Sequence, residues 1–338
     1  MHSRLVDRNP VVPADQLTAQ MVPPAMFDEV SFSSYIPDPD EPSQAVAVAK
    51  AEEFAKKVNK IRGGSRRGLF GKKAQASGAG LYLDGGFGVG KTHLLASIYH
   101  SSPSPKAFGT FVELTHVVGA LGFNQAVEQL SSHSVLCIDE FELDDPGDTM
   151  LVSRLLTELS LRGVSIVATS NTLPGQLGEG RFAAADFLRE IKKLGSIFET
   201  LRVDGPDYRH RDLPPAPDPI PSSELRELAD ATGGSTLDTF DELCAHLATL
   251  HPSRYKKLVE GVTAVYIDGI HAAPDQSVAL RLVVLADRLY DESIPVTVSG
   301  GKLDEIFTAE MLAGGYKKKY LRAISRLLAL SRFEVAAS

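Results

Sequence analysis

Residues Gly85-Gly86-Phe87-Gly88-Val89-Gly90-Lys91-Thr92 match GxxxxGK[ST] at every fixed position. Glycines in such a loop let successive main-chain N–H groups turn inward and wrap phosphate oxygens without a side chain in the way. A helix opening at Lys91 adds roughly half a positive charge at the same point. There Lys91 bridges the β- and γ-phosphates as a point charge. Thr92 places its hydroxyl on Mg²⁺, and His93 follows in the same turn. The chemistry implied is binding of a nucleoside triphosphate with its metal.

About 50 residues further on, four apolar residues in "VLCIDEFE" end in Asp139-Glu140. Asp139 at a strand's carboxyl end is placed to bind Mg²⁺, directly or through water. Glu140 is placed to orient and deprotonate a water for attack on the γ-phosphate. An apolar run ending in Asp-Glu also arises in ordinary buried strands; the preceding phosphate loop is what gives this one a role. A third polar residue, Asn171, ends the next apolar run, "VSIVATSNT". Its amide could hydrogen-bond the attacking water or the γ-phosphate. The alternative is a turn asparagine, for which "SNTLPG" is suitable.

These residues need elements to hold them. Strands are expected at 81–84, 110–114, 134–140, 164–170 and 198–203, with helices between them, notably 91–100 and 147–162. Strand–helix alternation gives a parallel five-stranded sheet flanked by helices, an α/β P-loop NTPase fold whose strand carboxyl ends form the ligand edge. Residues 1–45 read as an irregular, Pro-rich leader before a helix over 45–61, and 46–212 as the nucleotide-binding core. "LPPAPDPIP" (213–221) holds five prolines, so 213–222 reads as a linker. Residues 223–338 form a C-terminal α/β and helical region. Helices are expected there over 235–250, 276–292 and 316–330, and strands over 263–270 and 294–300.

The length of 338 residues fits two domains, and 43% apolar residues can build an ordinary core. A net charge of −8 argues against a wholesale nucleic-acid coat, though Lys56 to Lys73 carries eight basic residues and no acid. That run reads as a solvated surface loop or as a contact for nucleic acid or an acidic partner. Cys137 and Cys244 lie far apart in sequence, and the nine histidines show no paired-ligand spacing. No leader peptide or membrane-length apolar run is evident, so a cytoplasmic protein is expected.

One stretch echoes another. "VLCIDEFELDDPGDTM" and "AVYIDGIHAAPDQSVA" each run from an apolar strand through an Asp to a Pro before a helix. Either a shared strand–helix–strand pattern or a duplication produces this. Gly269 stands where the first copy has Glu140, and no phosphate loop precedes the second copy, which should be catalytically silent.

Phosphate loop, Asp-Glu strand and following Asn together resemble the AAA+ ATPases. More specifically, "GLYLDGGFGVGKTHLL", "VLCIDEFELDDPGDTMLVSRLL", "RGVSIVATSNTLP", "DYRHR", "TFDELC" and "LRAISRLLAL" resemble the ZapE-type, AFG-like family of bacterial cell-division ATPases. That family has mitochondrial relatives in inner-membrane protein quality control. The likeness spans roughly residues 25–335, and the "PDPDEPSQ" leader points to an actinobacterial branch. "FVELTHVVGALG" replaces a His-rich segment typical of better-known members, and the chain is short between 172 and 198.

The resemblance implies ATP and Mg²⁺ as ligands. It also implies a homo-oligomer in which a neighbouring subunit's arginine offsets charge developing on the phosphoryl group. Arg181 is the candidate, with Arg189 and Arg154 as rivals; for each, an ordinary surface arginine is the alternative. Arg326 could be a cis arginine laid over the γ-phosphate by a C-terminal helical lid, or one face of a basic amphipathic helix. Gln44 could read the adenine edge through its amide.

The function expected is Mg²⁺-dependent ATP hydrolysis coupled to remodelling a protein partner, a divisome component. The runner-up is a nucleic-acid-associated ATPase of the helicase-loader type, favoured by the basic runs at 56–73 and 316–326. A non-hydrolysing switch sits poorly with Glu140, and a GTPase with the lack of an NKxD motif.

Overall fold

The computed structural model describes residues 2–11, 13, 17–64, 77–86, 88–143, 146–177, 188–206 and 216–332. The chain divides into two compact units, a core unit of residues 13–208 and a second unit of 1–12 with 209–338. The sequence pattern places 1–12 in the leader, 209–212 in the core and 213–222 in a linker. Hydrogen bonds instead tie the first residues into the second unit, as described below.

The core unit opens with α1 (Pro42–Gly64) and continues β1 (Gly80–Gly85), α2 (Lys91–Ser101), β2 (Ala107–Thr110), α3 (Phe111–Leu121), α4 (Phe123–Ser131) and β3 (Val135–Asp139). It ends α5 (Pro146–Leu161), β4 (Ser165–Ser170), α6 (Leu188–Gly195) and β5 (Glu199–Val203). All five strands are parallel, in the order β2-β3-β4-β1-β5. This is the expected α/β sheet. Every residue of β3 and β4 is buried, as strands covered on both faces require, whereas the edge strand β5 is largely exposed. Adjacent β3, β4 and β1 therefore deliver Asp139, Ser170 and Gly85 side by side at one sheet edge.

The expected strand over 110–114 is a helix start. Thr110 ends β2 and caps α3: Glu113 N donates to its hydroxyl at 3.3 Å, and Thr110 N donates back to Glu113 Oε2 at 2.7 Å. This reciprocal capping box outweighs the β propensity of an aromatic and β-branched run.

The second unit comprises α7 (Ser222–Ala231), β6 (Thr236–Thr239), α8 (Phe240–Thr249), α9 (Tyr255–Leu258), β7 (Val265–Ile270), α10 (Gln276–Asp291), β8 (Val296–Gly300), α11 (Ala309–Ala313) and α12 (Lys317–Leu330). Its three strands are parallel, in the order β6-β7-β8. The expected helix over 235–250 begins only at Phe240, because Thr239 caps α8 and the residues before it form β6. Residues 3–8 pair here: Ser3 bridges to Thr236, and Leu5 N donates to Asp238 Oδ2 at 2.8 Å.

The sequence echo marks one part of a longer correspondence, α2 to β4 against α7 to β8. Thr110 lies opposite Asp139 in the strand register as Thr239 lies opposite Asp268. Both threonines cap a helix over a Glu three residues on. Two residues before each, the strand N–H donates to a leader carbonyl: Phe108 N to Met21 O at 2.9 Å, Leu237 N to Ser3 O at 3.0 Å. These shared caps and leader contacts go beyond what a generic strand–helix–strand unit prescribes. Within the second unit's three-stranded sheet, β1 and β5 have no counterpart.

α10 and α12 pack through a buried charge cluster. Asp287 is paired by Arg322 at 2.7 Å and by Arg326, whose guanidinium also lies 5.3 Å from the centre of the Tyr290 ring. Burial alone would raise the Asp287 carboxyl, but the two guanidiniums reverse this and hold it below its ordinary value. A depressed carboxyl stabilises above the usual range of about pH 4, and that contribution disappears as pH falls through the lowered value. Asp287→Asn leaves two buried guanidiniums without their carboxylate and is expected to cost roughly 3–5 kcal/mol at pH 7. Urea unfolding of the full chain followed by circular dichroism, at pH 7 and again under acid, measures both effects; an unchanged midpoint would refute them.

Candidate active site

β1 runs buried into Gly85 and the loop that follows. Gly90 adopts φ +85°, and a Cβ there would lie 2.4 Å from the Tyr35 ring, so any other residue is both strained and obstructed. The loop is braced from outside by the leader. The Tyr35 hydroxyl donates to Val89 O at 2.7 Å, and its ring meets the His93 ring edge-on at 5.5 Å. His93 Nε2 in turn lies 3.0 Å from both Ser34 Oγ and Ser31 O. His93, expected at the ligand, thus engages the leader. Of the motif, Phe87 lies outside the described residues.

Lys91 reaches back into the loop. Its ammonium donates to Gly85 O at 3.0 Å, to Gly86 O, and to Asn171 Oδ1 at 2.9 Å. Lys91 and Asn171, 80 positions apart, are thereby brought together at the ends of α2 and β4. A buried ammonium needs negative partners. The loop carbonyls and one amide oxygen supply partial charges that the oxygens of a triphosphate would outcompete. At the loop's base, buried Asp84 pairs with Arg202 at 2.5 Å, and Arg202 also holds Asp204 at 2.7 Å. Neither Asp84 nor Arg202 was evident from motif spacing.

The Thr92 hydroxyl lies 3.1 and 3.2 Å from the two carboxylate oxygens of Asp139. A carboxylate and a hydroxyl are the hard oxygen donors that Mg²⁺ takes, and the described residues hold no group of three acidic, His or Cys ligands. The donor set therefore fits an ion that keeps water and phosphate oxygens for the rest of its shell. Glu140 follows at φ +54°, half-buried, its N–H donating to Thr169 Oγ1 at 3.1 Å. The Thr169 hydroxyl donates to Asp139 Oδ1, and Phe141 N donates to Thr169 O at 2.7 Å. Past Asn171, the chain is anchored by the Tyr82 hydroxyl donating to Thr172 O at 2.7 Å; burial pushes that phenol far above its usual value.

Thr169 and Tyr35 were missed in the sequence because each acts through hydrogen bonds to residues remote along the chain. For Thr169 a signal existed in the echo: hydroxyl residues stand 30 positions after Asp139 and 31 after Asp268.

Other expected residues fall elsewhere. Gln44 is fully buried with its amide between two backbone groups, Oε1 accepting from Asp38 N at 2.8 Å and Nε2 donating to Asp204 O at 2.9 Å. So placed, it fastens α1 to the end of β5 rather than offering an edge to a base. Arg326 is held by Asp287, and reaching a phosphate would break that buried pair. Arg154 lies exposed with its guanidinium 4.3 Å from the centre of the Phe123 ring, and Arg189 is exposed on α6. Arg181, the "DYR" stretch and the basic run beyond residue 64 lie outside the described residues.

In the second unit, Asp268 ends up differently. Ser222 at the start of α7 donates to it at 2.6 Å, Ser299 donates at 2.5 Å, and Arg226 pairs with it at 3.2 Å. These hydroxyls and the guanidinium hold its carboxyl below the ordinary range. Ser222 is to Asp268 as Thr92 is to Asp139, Arg226 brings the positive charge, and Gly269 replaces the acid.

A family model described as AFG1-like ATPase matches residues 11–224 and 217–337. Cell division protein ZapE of Escherichia coli K12 is 28% identical over 291 residues, covering 73% of this chain and 76% of that protein. Lactation elevated protein 1 homolog B of Danio rerio is 34% identical over 95 residues, 28% of this chain and 19% of that one. Among solved structures, DnaI aligns at TM-score 0.40 and 20% identity over 54% of this chain and 95% of its own. Domain III of the Thermotoga maritima replication initiation protein DnaA aligns at TM-score 0.38 and 18% identity, over 76% and 95%.

Gly90→Ala is expected to destabilise the core unit by at least about 1 kcal/mol, the cost of a side chain in this backbone region. Combined with Tyr35→Ala the two losses should fall short of their sum, since the ring the new Cβ meets is gone. Denaturant midpoints of the two single variants and the double variant test this; strict additivity would contradict the contact.

Proposed function

The chain belongs to the AFG1-like ATPase family, and on that premise we propose that it hydrolyses ATP with Mg²⁺ through Lys91, Thr92, Asp139, Glu140 and Asn171. The carrying observation is the convergence of the Lys91–Asn171 and Thr92–Asp139 contacts at the carboxyl ends of adjacent β1, β4 and β3. When bound, Mg²⁺ supplies charge that offsets the phosphate oxygens. Lys91 exchanges its carbonyl partners for β- and γ-phosphate oxygens. That exchange frees Asn171 Oδ1 to accept from the attacking water. Thr92 and Asp139 would hold the metal through their oxygens, and Glu140 takes one proton of the water as its oxygen bonds to the γ-phosphorus and ADP departs.

We further propose that turnover remodels a protein partner in cell division, as the name of the Escherichia coli relative supports. In this reading neighbouring copies complete one another's sites with an arginine, Arg181 first and Arg189 or Arg154 otherwise. A cytoplasmic setting belongs to this proposal, in line with the cell-division role in the name of the Escherichia coli relative. A helicase-loader-type role stays as the second reading because Lys56, Lys57, Lys60, Lys317 and Lys318 are exposed. Salt-sensitive stimulation of turnover by DNA would favour it.

Lys91→Ala should weaken binding of a fluorescent ATP analogue by at least about 100-fold, the loss of a charge-assisted phosphate contact in a buried setting. Glu140→Gln should keep that binding and slow phosphate release by about 100-fold or more. Normal turnover by Glu140→Gln would refute the assignment of the base.

A further inference from the structure

Thr169 ties three consecutive residues to one position. Its only hydroxyl proton goes to Asp139 Oδ1, which leaves the oxygen's lone pairs to accept Glu140 N–H at 3.1 Å, while its carbonyl accepts Phe141 N–H at 2.7 Å. The polarity of the hydroxyl is therefore fixed by the carboxylate. Between these anchors Glu140 sits at φ +54°, a conformation that costs a side-chain-bearing residue about 1–2 kcal/mol. Phe141 beyond it is fully buried, its ring 5.4 Å from Phe111 and about 6 Å from Tyr82 and Phe198, so the chain cannot relax outward.

The second unit supplies an internal control. Ser299 Oγ donates to Asp268 Oδ1 at 2.5 Å, and Gly269 N donates to Ser299 Oγ at 2.9 Å, with Gly269 at φ +76°. The same hydroxyl lock produces the same left-handed turn. There it carries a glycine, which adopts this conformation without strain. The core unit keeps a glutamate where the corresponding turn of the second unit carries glycine. The serine shows that the hydroxyl, and not the threonine methyl, makes the lock.

We propose that Thr169 is the positioning residue of this site: it holds the metal-side carboxylate Asp139 and the strained Glu140 in one fixed relation, so that the base faces the attacking water. The proposal rests on Glu140 being that base, as argued above. Thr169→Val removes both hydrogen bonds at nearly constant volume. It should lower kcat for Mg·ATP hydrolysis by at least about tenfold, the effect of some 1.4 kcal/mol at the barrier, with the Kd of a fluorescent ATP analogue changed by less than about threefold. Thr169→Ser should restore kcat to within about threefold of wild type, whereas Thr169→Ala should not. Ser299→Ala, which breaks the same lock where no acid is presented, should leave kcat unchanged.

Wild-type kcat in Thr169→Val, with Glu140→Gln inactive, would overturn the proposal and spare the base. Active Glu140→Gln would overturn the base itself. A folded Thr169→Val that loses ATP binding together with kcat, or a Ser299→Ala variant impaired as much as Thr169→Val, would reduce the residue to a structural role and overturn the proposal. Should Thr169→Val fail to fold by circular dichroism, the contrast of Thr169→Ser with Thr169→Ala decides: equal kcat in the two overturns it.

Discussion

A positive charge lodged in the interior of a protein must be answered locally, and the Lys91 ammonium is such a charge. It is answered by two carbonyls of its own loop and by the amide oxygen of Asn171. This demands that the glycine loop fold back over the start of α2, and that β1 and β4 be neighbours so that Asn171 comes within reach. The neighbouring order of β3, β4 and β1 then fixes where Asp139 lies relative to Thr92. Much of the core unit can be understood as scaffolding for that one ion and its exchangeable partners. Dipoles of neutral groups hold it well enough for folding and loosely enough to be displaced by a full negative charge.

The contiguous stretches that meet at the site were legible in the sequence: the loop at 85–92, the acids at 139 and 140, and most of the strands and helices around them. Contiguity is the reason, because a motif compresses its geometry into local spacing. Local spacing also misled. Around Thr110 and Thr239 the apolar pattern allows strand or helix, and the decision rests on a Thr-to-Glu cap. Tyr35 and Thr169 escaped notice because their partners lie 54 and 30 positions away. Gln44 was noticed for its chemistry, yet its surroundings on α1 and at the end of β5 consume both ends of the amide. A side chain's capacity is visible in sequence; the partners that take up that capacity emerge only on folding.

The correspondence between the two units separates what both share from what the core unit alone carries. Both units have the threonine caps, an Asp on the strand paired with the capping threonine, a hydroxyl beside that Asp and a left-handed residue after it. The caps and the turn are shared architecture, and in the core unit the same hydroxyl lock also carries Glu140. The glycine loop, Lys91 and the acid at 140 occur in the core unit, and Gly269 and Arg226 stand in the other. An Asp left by itself near a helix start would favour a cation, and Arg226 satisfies it with a guanidinium from the chain.

That guanidinium bears on how ligand titrations are read. With its carboxylate already paired and a glycine at 269, the described residues of the second unit do not repeat the core unit's pair of acids, so on the proposed reading the triphosphate seat lies in the core unit. A Hill coefficient above one in any ATP titration would then have to originate between polypeptides, which makes the steepness of a binding curve a direct gauge of assembly.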